Sequence, residues 1–560
     1  MPSQSGADAL LELLSNEGVQ LVFGNPGTTE LPLCDRLVGR HQFRLVLALQ
    51  ESVAVAMADG YARASRRASF VNLHVAPGLA NGLGNTYNAL RSRVPMVVTA
   101  GQQDTRHLCQ EPMLAADLVA MAQPVTKWAG EARHPKDVPI LAGRAFRLAS
   151  AYPEGPVFLS LPSDVMEAVA DIETSVPPRG HADPCAARED LEEAARTLLG
   201  AEKPLLILGD GVVRAGAVGA GIRLAEVLGA GVMADTLSGE APFPFRHPLF
   251  RGAPLPVNSA LPATLAPYDV VLVVAADLVY PFYYSEADPT PGAIPVIQLE
   301  PIADRVGRVF NASLTLIGGL TSTLDELASL IGSLATPEYR RRAEERLADA
   351  AAERENALLP ARAALTANET TPINPQHACM LIADSLEPGT LVFDEAVSSS
   401  LYMRSWLKCA PGEYHFARGG GIGWGMGAAV GAKLAAPDRP VVAVVGDGSA
   451  LYAPQALWNA AHDGAPTLTI VLNNHEYHIL KQGLAAMGRR AAEAWQFPGM
   501  DIRAPEIDFE ALSLSFGSAY MRAETSREIG HAVRAALSSV QPVLLEIPVA
   551  GMGERPQQTP

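Results

Sequence analysis

The sequence predicts an α/β protein built from three doubly wound domains, each on a parallel sheet. Three observations carry this prediction. Short apolar runs such as 441–445 and 467–472 alternate with stretches of helical periodicity, the pattern of βαβ units. Several runs end in glycine turns, Gly24-Asn25-Pro26-Gly27 and Gly446-Asp447-Gly448-Ser449, at the strand ends where such sheets bind ligands. A length of 560 residues exceeds a single core and suits about three domains. The expected boundaries are 1–166, 190–335 and 370–550.

In order along the chain, residues 7–18 place Leu10, Leu11, Leu13 and Leu14 on one helical face, and Gly18 closes the helix. A strand at 19–23 ends in GNPGTTE, a tight turn that presents Thr28 and Thr29 to a cleft. Thr28 also has an alternative reading as a helix cap. A second strand at 44–48 delivers Glu51 to the head of a helix rich in small residues, where Leu49, Val53 and Ala54 suggest a buried carboxyl. On its own, Glu51 also reads as an N-terminal charge stabilised by the helix dipole. A third strand at 69–73 ends at His74, and a fourth at 95–100 ends at Gly101-Gln102-Gln103. A strand at 156–161 closes the first domain.

The stretch 167–190 lacks periodicity and reads as a linker. The middle domain follows, with strands at 205–208, 270–275 and 296–299 and a helix at 216–228. Its Gly209-Asp210-Gly211 has no paired asparagine after it and is expected to be a structural turn. Residues 337–365 alternate in charge and carry few large apolar side chains, as a solvated linker helix does. The third domain opens near Pro375, with a strand at 390–393 and a last strand at 543–547; the tail 551–560 reads as disordered.

The chemistry concentrates in 446–474. Strand, glycine turn, helix and strand place the Asp447 carboxylate and the Asn474 amide oxygen at neighbouring strand ends, where they can share one small hard cation. Mg²⁺ suits such a set, with the Glu476 carbonyl just beyond and phosphate oxygens completing the shell. Gly446 and Gly448 let the main chain approach a diphosphate, and Ser449 offers a donor.

At these residues, GDG followed by NN, the chain resembles the thiamine-diphosphate-dependent enzymes. The segments VFGNPGTTELP, LALQESVAVAMADGYARAS, VNLHVAPGLANGLGNTYNA and VTAGQQ resemble the amino-terminal domain of benzoylformate decarboxylase and the wider acetolactate synthase group. The resemblance implies a pyrimidine-binding domain, a middle domain, and a diphosphate- and Mg-binding domain, with thiamine diphosphate and Mg²⁺ as cofactors. It implies that Glu51 faces the aminopyrimidine, that Thr28 and His74 meet the substrate, and that Met113 and Leu114 form apolar walls. Ser398 would hold diphosphate oxygens, Gly420 would offer its carbonyl to the cofactor, and Ile422 would wedge beneath it. Tyr477, His478, Ile479 and Leu480 would run past the cofactor.

Three positions depart from the decarboxylase pattern. Thr28 replaces a serine, Phe282 stands where a second histidine is expected, and Gly483 replaces a phenylalanine. His475 or His478 is a candidate to supply the missing histidine's proton. The expected function is non-oxidative decarboxylation of a benzoylformate-like 2-oxo acid to an aldehyde and CO₂, with aldehyde carboligation as a side activity. The alternatives are a synthase that joins the decarboxylated fragment to a second carbonyl substrate, and a non-catalytic relative that binds the cofactor. The resemblance also implies self-association as a dimer or homotetramer.

Composition agrees with an enzyme acting on small molecules. With 48% hydrophobic and 18% charged residues the chain reads as globular, and a net charge of −17 argues against a nucleic-acid partner. Cys34, Cys109, Cys185, Cys379 and Cys409 show no CxxC spacing, so neither a disulfide framework nor a zinc site is indicated. There is no signal-peptide pattern and no apolar run near the ~20 residues needed to span a bilayer. The expected compartment is the cytoplasm.

Overall fold

The computed structural model describes residues 3–174, 183–282, 284–287, 292 and 294–553. The tail beyond 553, Tyr283 and the centre of the predicted linker, 175–182, lie outside the described residues. The chain divides into two compact units: Met1–Pro178, Thr370–Tyr402 and Ala417–Pro560 form one, and Arg179–Glu369 with Met403–Phe416 form the other.

The first unit carries two parallel sheets. The amino-terminal sheet contains β1 (Leu21–Gly24), β2 (Arg44–Leu47), β3 (Ser69–Leu73), β4 (Met96–Gln102), β5 (Ala129–Glu131) and β6 (Pro156–Pro162) in the order β2-β1-β3-β4-β6-β5. All its pairings are parallel, as burial on both faces of near-continuous apolar strands requires. Helix α1 (Gly6–Asn16) is capped by the Ser5 hydroxyl, which accepts from the Asp8 amide at 3.1 Å. Its Leu10, Leu11, Leu13 and Leu14 are fully buried with Phe70, Phe146 and Leu159. Helix α2 (Leu31–Leu37) follows β1, α3 (Glu51–Ser65) follows β2, and α4 (Val75–Arg91) follows β3.

The middle unit holds β7 (Pro204–Leu208), β8 (Gly231–Ala234), β9 (Val270–Val274), β10 (Val296–Glu300) and β11 (Leu314–Ile317), all parallel, in the order β8-β7-β9-β10-β11. The charged stretch forms α5 (Pro337–Ala367), in which only Tyr339, Ala343 and Ala350 are buried. The first unit's second sheet includes β12 (Leu391–Glu395), β13 (Val441–Gly446), β14 (Leu468–Asn473), β15 (Ala519–Arg522) and β16 (Val543–Pro548), running β12-β13-β14-β16-β15 in parallel.

Short strands not legible in the sequence include β5, β8, β11, β15 and Tyr414–Phe416. The predicted linker also contains Val169–Asp171, which pairs antiparallel with Ser3–Ser5. No helix among the described residues is long and apolar enough to cross a membrane.

Within the first unit, α3 packs against α6 (Gly425–Ala435). The backbones touch because glycines line the contact. A Cβ on Gly60 would lie 1.8 Å from the Ala428 oxygen, and one on Gly431 would lie 1.7 Å from the Met57 oxygen. The seam is pinned by Asp59, whose Oδ1 accepts from Arg63 Nε at 2.6 Å and Trp424 Nε1 at 2.9 Å. Asp59 and Arg63 are fully buried as a pair, and the guanidinium sits 5.0 Å from the indole centroid. Glu395, at the end of β12, accepts from the Trp424 and Gly425 amides at 3.1 and 2.8 Å, satisfying the start of α6.

Candidate active site

Valines and isoleucines build β13 and β14, and the register carries each chain out of the sheet at the same edge, opposite Gly446 and Leu472. There α7 (Asp447–Ala450) and then α8 (Gln455–His462) begin. Asp447 is 4% exposed, and its Oδ2 is buried with no hydrogen-bond partner among the described residues. Burial pushes its carboxyl up to about 6, against the pull of the Gly448 and His475 amides. A buried carboxylate oxygen with nothing to bond is the arrangement a cation relieves.

The second triplet in the chain shows the contrast. Asp210 is also buried, but its oxygens accept from Ser238 Oγ at 2.6 Å, Gly239 N at 3.0 Å and Glu240 N at 3.1 Å. The middle domain's GDG is therefore the structural turn expected of it.

The paired asparagines divide their work. Asn473 is structural: its Nδ2 donates to Glu546 at 2.7 Å and its Oδ1 accepts from His475 N at 3.2 Å. Asn474 is half-buried beside it, and its Oδ1 accepts from Glu476 N at 3.0 Å. The Glu476 side chain is committed elsewhere. It accepts from His478 Nδ1 at 2.6 Å, Lys481 Nζ at 2.5 Å and Met552 N at 2.6 Å. Burial alone would raise its carboxyl, but these donors win and bring it to about 2. With the side chain so occupied, the expectation for a metal falls on the main-chain carbonyl. Lys481, buried and bonded to Asp501 at 2.7 Å, was not anticipated.

The glycines separate too. Nothing lies within 4 Å of a Cβ built on Gly446 or on Gly420, and Gly420 has φ +75°. Both open onto free space. Gly448 instead lies flat against Tyr477, whose ring would be 2.6 Å from a Cβ there. Ser449 is buried, whereas Ser398, Ile422 and Tyr477 are half-buried. A divalent ion with a diphosphate fits this donor set: one orphaned carboxylate oxygen, one amide oxygen, and open backbone beside them. Among the described residues no cluster of three metal-binding side chains exists, so phosphate oxygens would supply the remaining ligands.

In the amino-terminal sheet, β1, β2 and β3 deliver Thr28, Glu51 and His74 from one carboxyl edge. Thr28 is exposed and caps nothing, since Gly27 precedes its 3₁₀ turn and no side chain caps α2. Thr29 turns inward rather than toward a cleft; it is 5% exposed and its hydroxyl bonds Glu30 at 2.8 Å. Glu51 is half-buried, not enclosed as expected, because Gln50 rather than Glu51 caps α3 and the carboxylate leans outward. Its Oε2 accepts from Asn81 Nδ2 at 2.9 Å, and Gly78 leaves room for it: a Cβ there would be 3.1 Å from Oε1. His74 bonds Glu30 through Nδ1 at 2.8 Å. Glu30 and Asn81 carried no sequence signal beyond lying near Thr28 and about two turns into the helix after His74.

Four non-glycine residues with positive φ stand where strands leave the sheets: Val75 at 38°, Val397 at 44° and His475 at 57° in the first unit, and Ala275 at 47° in the middle unit. β-Branched residues rarely adopt this conformation, and such strain collects at functional sites. The remaining candidates lie on open surface. Met113 is 83% exposed, Leu114 has φ +73°, and Ile479 and Leu480 are exposed. Phe282, in the middle unit, is 68% exposed and donates its amide to Pro256 O at 2.7 Å. His475 Nε2 lies 3.7 Å from Glu506.

Comparison with known proteins agrees with this reading across the chain. Residues 4–121 match the thiamine pyrophosphate enzyme N-terminal TPP binding domain, 191–327 the central domain, and 397–547 the C-terminal TPP binding domain. A benzoylformate decarboxylase of Pseudomonas aeruginosa is 34% identical over 546 residues, covering 96% of this chain and 98% of that protein. An acetolactate synthase large subunit of Parasynechococcus marenigrum is 28% identical, covering 97% of this chain and 87% of its own. The solved thiamine diphosphate-dependent 4-hydroxybenzoylformate decarboxylase of Rhodococcus jostii superposes with a TM-score of 0.86 at 30% identity, over 98% of this chain and 99% of that one. With an aspartate that has one partnerless oxygen at one strand edge, a glutamate heading a helix at another, and all three domains matched, the chain belongs to the thiamine pyrophosphate enzyme family.

Proposed function

We propose that this protein decarboxylates a benzoylformate-like 2-oxo acid without oxidation, releasing an aldehyde and CO₂. The observation that carries the reading is the buried, unpartnered Oδ2 of Asp447 beside the open backbone of Gly446. The relatives named for benzoylformate and 4-hydroxybenzoylformate decarboxylation support the substrate class. Asp447, Asn474 and the Glu476 carbonyl hold Mg²⁺; Ser398, Gly446, Gly448 and Ser449 surround the diphosphate. Gly420, Ile422, Tyr477, His478 and Ile479 line the rest of the cofactor.

The cofactor, when bound, supplies the electron sink that makes loss of CO₂ possible. The chain's residues set the conditions. Glu51, steadied by Asn81, holds a proton at the aminopyrimidine. The Thr28 hydroxyl donates to the substrate carboxylate, and His74 holds or gives a proton at the reacting carbon's oxygen. Met113, Leu114, Leu480 and Gly483 wall the pocket. His475 and His478 stand as replacements for the family's second histidine.

Self-association as a dimer, paired into a tetramer, completes the site. In one copy Leu401, Tyr452 and Leu480 lie 51%, 59% and 49% exposed around these strand ends, an apolar margin that a second copy would cover. Five cysteines, none of them disulfide-bonded, suit a cytoplasmic protein. A second reading, joining the decarboxylated fragment to a second carbonyl compound, rests on the acetolactate synthase relative.

The test is CO₂ release from a panel of aromatic and aliphatic 2-oxo acids, with Mg²⁺ and thiamine diphosphate, for the native protein and Glu51→Gln. Turnover of an aryl 2-oxo acid that falls at least ~10²-fold in the variant is the expected result. CO₂ release accompanied by acyloin and not by free aldehyde favours the second reading, and a silent panel defeats the first.

A further inference from the structure

Glu30 is 2% exposed, and every acceptor position of its carboxylate is taken. Oε1 accepts from Gly101 N and Thr29 Oγ1, each at 2.8 Å. Oε2 accepts from Gly27 N and His74 Nδ1, also at 2.8 Å. Two of these donors are main-chain amides from the ends of β1 and β4, so the carboxylate ties together the turns on either side of His74. Space for the arrangement comes from two glycines. A Cβ on Gly101 would lie 2.2 Å from Glu30 Oε1, and one on Gly27 would lie 2.1 Å from His74 Nδ1 and 2.3 Å from Cε1. The imidazole therefore lies flat against Gly27 with one edge held by Glu30. Its Nε2 makes no hydrogen bond among the described residues, and the side chain keeps 21% exposure.

We propose that Glu30 is a positioning residue that fixes His74 as a one-sided proton relay. An ionised carboxylate accepts and never donates, so the nitrogen facing it carries hydrogen in both charge states of the ring. In the neutral ring Nδ1 holds the proton and Nε2 the lone pair. When Nε2 takes up a proton the new charge lies opposite Glu30, and the proton can leave only by Nε2. The Nδ1 hydrogen stays engaged in its bond to Glu30, so exchange with a substrate runs through Nε2. A histidine free to rotate or exchange tautomers would present a donor to the substrate in one state and a lone pair in the other; this one presents the same atom throughout. The inference deepens the role given to His74 above and rests on it for the reaction, but the geometry stands without it.

The first test needs no altered fold. In protein labelled with ¹⁵N-histidine, with His74→Asn identifying the signal, long-range ¹H–¹⁵N correlation of the cofactor-free protein reads the tautomer of His74. The Nδ1–H form is expected; an Nε2–H form or an even mixture overturns the proposal. The second test is Glu30→Gln, which turns an amide toward one of the four donors. The expected results are loss of the pure Nδ1–H signature and a fall of ~10²-fold in kcat/KM. Glu30→Asp, which keeps the charge, recovers the Nδ1–H signature. Added to His74→Ala, Glu30→Gln should lower turnover no further; a further fall of tenfold or more would show that Glu30 acts independently of His74 and sink the proposal. If His74→Ala retains full turnover, the catalytic reading of His74 fails, while the tautomer measurement still decides whether Glu30 holds the ring.

Discussion

Asp447 and Asp210 sit in identical Gly-Asp-Gly triplets, each buried where a strand ends, yet they have opposite surroundings. Three donors occupy Asp210, and one oxygen of Asp447 has none. Replacing each by asparagine should separate the two roles. Asp447→Asn is expected to weaken Mg²⁺-dependent binding of thiamine diphosphate by more than ~10²-fold in equilibrium dialysis, since even outer-shell changes at metal sites cost 10–100-fold. Asp210→Asn should leave that affinity unchanged and lower stability by about 1–3 kcal/mol through an unpaired buried donor. Equal losses of affinity would refute the distinction. At this scale the sequence was informative where spacing singled out a residue, as for Asp447 and Asn474, and His74 was singled out by resemblance alone. It was silent where a partner comes from a distant turn. Nothing local marks Glu30 as the acceptor for Gly101, or Asn81 as the donor to Glu51, because those pairs exist only once the strands are side by side.

The central strands were legible because parallel strands buried on both faces are unbroken apolar runs, as 69–73 and 441–445 are. The edge strands β5, β8, β11 and β15 were not, for they are short and partly solvated, and Ala129-Gly130-Glu131 has no strand signature. Loops resisted for a different reason. Residues 103–117 are held by side chain to main chain bonds, Gln102 to Ala116 O at 2.9 Å and Gln103 to Met113 O at 2.8 Å, which no periodicity announces. Between helices the decisive chemistry is small volume, and α3 and α6 can approach only with glycine at the contact. Gly431→Ala would thrust a methyl to 1.7 Å from the Met57 oxygen, so a loss of about 1–3 kcal/mol or more is expected in urea unfolding. Gly446→Ala, with nothing within 4 Å, should unfold like the native protein. Equal stability of all three would mean the helices do not touch there.

For the molecule as a whole, the acidic balance of −17 is compatible with an anionic ligand only because the site for it is local. The same buried carboxyls make stability depend on pH in two directions. Burial raises Glu395 to about 7 from an ordinary 4.5, although the Gly425, Trp424 and Gly423 amides oppose it. Its folded form thus prefers the proton, and its contribution to stability is complete below pH 4.5 and lost as pH rises through 7. Glu476, brought down to about 2, contributes above 4.5 and loses its contribution as pH falls through 2. Unfolding midpoints recorded from pH 5 to pH 8 should therefore decline more steeply for the native protein than for Glu395→Gln. Parallel curves would exclude Glu395 as the source.

The glycine seam between α3 and α6 has a mechanical consequence. Glu51 begins one of these helices, and the Gly420–Ile422 turn leads into the other, so two parts of the proposed cofactor machinery are carried on a pair of rods whose backbones are in contact. With no side-chain cushion at the closest points and a buried ion pair alongside, the rods cannot slide past one another without collision. They form a fixed caliper, so an opening at the proposed site is expected from the loops around Thr28, Met113 and Tyr477 that hang on the strand ends, not from the helices.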